Sequence, residues 1–105
     1  MTREERRSLH LHCAIADRLR QDPEGTLSQA HRTLARMRAI HHGSPFVREW
    51  RMLLARPVAA LLPVLTDPDP WARELRQVTP FAGVLSAAER AAVYREFAES
   101  ERRAT

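Results

Sequence analysis

Three residues near the start of the chain, His10, His12 and Cys13, carry side chains that ligate metals, and His31, His41 and His42 follow. Zinc asks for two such ligands on one helical face, commonly His at i and i+4, with a third close by. His10 and Cys13 are three apart and share a face, but His12 points away from both. No acidic residue at the required spacing completes a motif, so no metal and no cofactor are expected. Cys13 falls in the apolar spacing of Leu9, His12, Ala16 and Leu19, which reads it and His12 as residues at the edge of a core. A thiol buried there is inert. Ser8, Ser28, Ser44, Ser86 and Ser100 lack the glycine elbow of a nucleophilic serine. Three scattered glycines cannot build a phosphate-cradling loop. The chain is therefore not expected to be an enzyme.

Arginine is the other chemistry-bearing residue. All 17 basic residues are Arg, the net charge is +4, and there is no Lys. The guanidinium fork suits carboxylates, phosphates and interfaces, although a GC-rich coding sequence also writes Arg for Lys. Residues 1–56 hold 11 Arg against 6 acids, whereas residues 57–105 hold 6 against 7. Arg3, Arg6 and Arg7 on a first helix, with Arg32, Arg36 and Arg38 on a second, offer a face that would hold a phosphate backbone without reading sequence. The same pattern is that of an ordinary solvated face. A helix-turn-helix reading fails on the helix that should enter the groove, because Glu89, Glu96, Glu99 and Glu101 would repel phosphates. Direct DNA reading is not expected.

The elements that must position these residues are helices. The seven prolines stand almost entirely where helices begin or end, and no alternating strand pattern occurs. A first helix is predicted over about 3–20, with Leu11 and Ile15 widening its stripe. Asp22-Pro23 caps and starts a second, carrying Leu27, Ala30, His31, Leu34 and Met37 on one face and ending at His42-Gly43. Ser44-Pro45 starts a third, burying Phe46, Val47, Trp50, Leu53 and Leu54. A short fourth holds Val58, Leu61, Leu62 and Leu65, with Pro63 inside its pattern. After a proline-rich corner at 66–70, Trp71, Leu75 and Val78 mark a fifth. Ser86 and Glu89 form a capping box for the last, whose apolar positions are Val93, Tyr94 and Phe97. The expectation is an all-α, bundle-like single domain over 1–105 with five to six short helices, 1–8 and 99–105 being the ends where fraying is expected.

No run approaches the roughly 18–20 apolar residues of a membrane helix. No apolar segment follows the charged start as a secretion signal would require. The single Cys13 fits a reducing compartment, so a cytoplasmic protein is expected. Two features suit a protein partner. The segment 78–85 (VTPFAGVL) is apolar and stiffened by proline; it either plugs the core or presents Phe81 and Val84 as an interface anchor. The last helix carries acids that could dock on a basic groove.

Three blocks carry a family likeness: 11–37 (LHCAIADRLRQDPEGTLSQAHRTLARM), 50–66 (WRMLLARPVAALLPVLT) and 72–97 (ARELRQVTPFAGVLSAAERAAVYREF). Of these, ELRQ…PFAGVLS is the most distinctive. The chain resembles the small actinobacterial antitoxins of the MenA type, partners of MenT-like nucleotidyltransferase toxins that act on transfer RNA. The resemblance implies a helical protein that neutralises its cognate toxin by occluding the active site or substrate access. A basic chain mimics RNA poorly, so occlusion by shape is expected, with Phe81, Val84 and Tyr94 as contacts and Glu89, Glu96 and Glu99 as charged rim. The alternative is a small regulator that holds nucleic acid through Arg3, Arg6, Arg7, Arg32, Arg36 and Arg38.

Overall fold

The computed structural model describes residues 1–104. Six helices and no strand occur among them: α1 (Arg3–Gln21), α2 (Pro23–Ile40), α3 (Pro45–Leu54), α4 (Val58–Thr66), α5 (Pro70–Gln77) and α6 (Ala87–Ala104). The boundaries follow local chemistry. The Asp22 carboxylate accepts from the Gly25 amide, and the Ser44 hydroxyl from the Val47 amide. The Asp69 carboxylate accepts from the Ala72 amide, and Pro follows each of these three caps. Ser86 and Glu89 satisfy one another's amides as the expected capping box. A second such box, Thr2 with Glu5, opens α1, so residues 3–8 are helical, as are 99–104; Thr105 lies outside the described residues. α4 continues through Pro63.

One residue, Asp22, separates α1 from α2, and Gly25 permits this. A Cβ at position 25 would stand 2.2 Å from Asp22 Oδ2. At the α2–α3 joint Gly43 takes φ +87, the left-handed conformation expected of a glycine ending a helix.

α1 is the hub, packing on α2, α4, α5 and α6, while α2 packs on α1 and α3. Ile15, Ala16 and Leu19 of α1 meet Leu61 and Leu65 of α4 and Leu75 of α5 in one continuous core that also holds Val47, Trp50, Leu53 and Leu54. Trp50 is fully buried, its indole N–H donating to the Leu75 carbonyl at 2.9 Å, so the polar end of the largest side chain is satisfied. Phe81 meets its ring edge-on, with centroids 5.7 Å apart.

Three apolar positions depart from expectation. Trp71 is 49% exposed, because the inward face of the two-turn α5 is made by Ala72, Leu75 and Arg76. His31 is exposed, since the buried line of α2 is narrow and runs Thr26, Ala30, Leu34. Cys13 is also exposed; the buried set of α1 is His12, Ile15, Ala16 and Leu19, and Cys13 stands off its edge. No helix among the described residues is long and apolar enough to cross a membrane.

Candidate functional site

The fold disperses the metal-ligating residues. His12 is buried in the core, whereas His10 tilts against Phe97 and lies 3.9 Å from Glu96 on α6. No three His, Cys, Asp or Glu side chains converge among the described residues. One serine approaches a histidine, with Ser8 Oγ 3.5 Å from His12 Nδ1. That nitrogen already donates to the Ser8 carbonyl at 2.7 Å, so it carries the proton and cannot take one from the hydroxyl. His12 Nε2 then accepts from the Thr79 hydroxyl at 3.0 Å, and Thr79 Oγ1 accepts from the Phe81 amide at 3.1 Å. Burial pushes the imidazole down to about 4, opposed by the Ser8 carbonyl and assisted by the nearby Arg76 charge. His12 thus works as a neutral strut between α1 and the 79–81 turn.

Phe81 corrects the expectation of a surface anchor. It is fully buried against Trp50, which leaves nothing of it for a partner. Val84 and Tyr94 are half-buried. The acids of α6 are unequally placed. Glu89 is tied to Ser86 and pairs with Arg18, while Glu96 and Glu99 are exposed. The Ser86 amide and hydroxyl, with Arg18, hold the Glu89 carboxyl below the usual range.

The six arginines expected to form one basic face are split between two environments. Arg6 Nε donates to Glu101 at 2.6 Å, Arg3 lies over the Phe97 ring at 5.2 Å, and Arg7 over Tyr94 at 4.7 Å. These three bind α1 to α6. On α2, Arg32 bonds Ser28 and Gln29, and Arg36 bonds Thr33, all neutral partners on their own helix. Arg38 makes neither an ion pair nor a side-chain hydrogen bond among the described residues, and the same holds for Arg48 and Arg51 of α3, which sequence reasoning passed over.

Arg38, Arg48 and Arg51 line a groove of about 540 Å³ where the end of α2 meets α3. Ala35, Ala39 and Val47 give it apolar walls, and His42 stands at the Gly43 turn. Ile40 and Met52, on the same two helices, are 71% and 63% exposed. Arg48, Arg51 and Met52 also line an adjoining hollow of about 480 Å³. Between residues 25 and 66 the chain holds six arginines and one carboxylate, Glu49. Glu49 lines a different hollow, with Phe46 and Trp71. The net positive charge of the molecule is therefore concentrated on the α2–α3 end, and no carboxylate among the described residues lines the groove.

Arg76 is a further residue that sequence reasoning missed. It is 2% exposed, and its Nη1 donates to the carbonyls of Val64 (2.9 Å) and Asp67 (2.7 Å). It closes the end of α4, where a cation also meets the negative pole of the helix. The signal was available in Asp67-Pro68-Asp69-Pro70. Two prolines remove two amides just where the last carbonyls of α4 need donors.

Compared with protein-family models, with curated proteins and with solved structures, the chain matches none.

Proposed function

We propose that this chain is a non-catalytic protein-binding module: an antitoxin that holds a nucleotidyltransferase toxin acting on transfer RNA in an inactive cytoplasmic complex. The observation that carries the binding role is the exposure of Ile40 on α2 and Met52 on α3, which exceeds that of Trp71, with Met52 lining a hollow beside Arg48 and Arg51. Arg and Met are enriched in protein interfaces. The toxin as partner rests on the likeness of 11–37, 50–66 and 72–97 to MenA-type antitoxins. The test expresses the product of the adjacent gene alone and then together with this chain. Growth arrest by the first, rescue by the second and a co-purifying complex support the proposal; harmless expression or the lack of a complex overturns it.

The excess of arginine over carboxylate between 25 and 66 favours a second reading, a regulator that holds nucleic acid by its phosphates. In that reading the arginines of α2 and α3 replace Arg3, Arg6 and Arg7, which are engaged with α6. Retention on heparin that falls steeply with salt supports it, and no retention at low salt removes it.

A further inference from the structure

We infer that the α2–α3 groove seats an acidic segment of the protein partner, one that presents carboxylates to Arg38, Arg48 and Arg51 and apolar side chains to Ile40 and Met52. The inference rests on the protein-binding reading above and adds the surface and the chemistry it recognises.

Charge complementarity selects the occupant. Three guanidinium groups surround the groove, none has a side-chain hydrogen bond or ion pair among the described residues, and the nearest carboxylate in sequence, Glu49, lies at another hollow. Each arginine presents paired N–H donors that match a carboxylate or a phosphate. The apolar content decides between these. Val47 forms part of the groove and is 3% exposed, so its wall is continuous with the core, while Ala35 and Ala39 leave room above it. Ile40 and Met52 stand out into solvent on the helices that form it. A phosphate backbone needs the cations and gains nothing from exposed isoleucine and methionine. A protein segment with acidic and apolar side chains uses both, burying the apolar groups centrally and steering by charge at the edge.

The geometry also fixes which arginines matter. Arg3, Arg6 and Arg7 are bound to α6 and cannot serve without breaking its packing. Arg32 and Arg36 already spend donors on their own helix.

The experiment measures affinity for the purified product of the adjacent gene with four forms of the full chain: wild type, Arg38→Glu/Arg48→Glu/Arg51→Glu, Ile40→Ser/Met52→Ser, and the control Arg95→Glu/Arg103→Glu on α6. All the altered residues are exposed, and circular dichroism confirms each fold. The charge-reversed groove is expected to weaken binding by about 100-fold or more and the apolar pair by about 10-fold or more, with the control within about threefold of wild type. Added salt weakens the wild-type complex more steeply than the charge-reversed one. A labelled single-stranded RNA serves as the second ligand. If the reversed groove keeps the protein partner but loses RNA, the occupant is nucleic acid and the inference is overturned. If it keeps both, the groove is not the site, while the protein-binding reading stands. If the wild-type chain binds no partner protein at all, that reading fails and the inference with it.

Discussion

Arg76 reaches from α5 to the end of α4 and sets its Nη1 2.9 Å from the Val64 carbonyl oxygen. A cation in this position supplies the donor that a Pro-Asp-Pro corner withholds, yet its Nε and Nη2 are buried without a protein acceptor. Burial pulls its pKa below the ordinary arginine value. The contact therefore stabilises the joint at a substantial desolvation cost. Replacing Arg76 by Ala is expected to cost about 2–4 kcal/mol in urea unfolding, since it strips the α4 carbonyls of their donor and leaves a hole. Arg76→Met, which keeps the bulk and removes the buried charge, should lie nearer the wild type. A methionine variant as unstable as the alanine one would show that the hydrogen bonds outweigh the packing.

His12 makes the fold acid-sensitive. Its folded-state value is about 4 against an ordinary 6.5, so the unfolded chain takes up the proton first. Stability is complete above pH 6.5 and is lost as the pH falls towards 4. At pH 5 the loss is about 2 kcal/mol, from the logarithm of the two protonation ratios. Denaturant midpoints measured from pH 8 to 4.5 should fall along this curve, and those of His12→Gln should stay flatter over the same range. Parallel curves would exclude the imidazole as the source.

Phe81 belongs to the core, so its truncation should act on folding alone. Phe81→Ala is expected to lose about 3–5 kcal/mol, as other buried aromatic truncations do. A folded Phe81→Leu variant, assayed at a temperature where it is fully native, should bind its partner with unchanged affinity. A specific loss of affinity in that variant would restore the anchor role.

Gly25 and Asp22 are coupled through the cap of α2. A methyl group at position 25 displaces the Asp22 carboxylate, so Gly25→Ala should cost about 1–2 kcal/mol despite the higher helix propensity of alanine. Once Asp22→Ala has removed the carboxylate, the same change should cost nothing or stabilise. Additive effects in this double-mutant cycle would refute the clash.

The helices were legible because their start signals are local. Asp22-Pro23, Ser44-Pro45 and Ser86 with Glu89 each act within a single turn, and all three cap as expected. Faces of short helices were less legible. Trp71 and Leu75 share a helical spacing, but in eight residues a rotation of about one position suffices to turn the tryptophan outward. The candidate site could not be read from the chain. Arg38 and Arg51 are 13 positions apart, and only the angle at Gly43 brings them to one groove. Arg76 was hidden for the opposite reason, since a charged residue in the last turn of a helix normally points to water.

The pairing of α1 with α6 has a consequence for the order of synthesis. Arg3, Arg6 and Arg7 leave the ribosome well before Phe97, Glu101 and Tyr94, the groups that receive them, which follow about 90 residues later. Translation proceeds at roughly 5–20 residues per second, so the first helix waits several seconds for the surface that completes it. During that interval its apolar side is covered only by α2, α4 and α5, and a nascent chain arrested before α6 would present an open seam to chaperones and proteases. The completion of α1 packing is thereby tied to the emergence of α6.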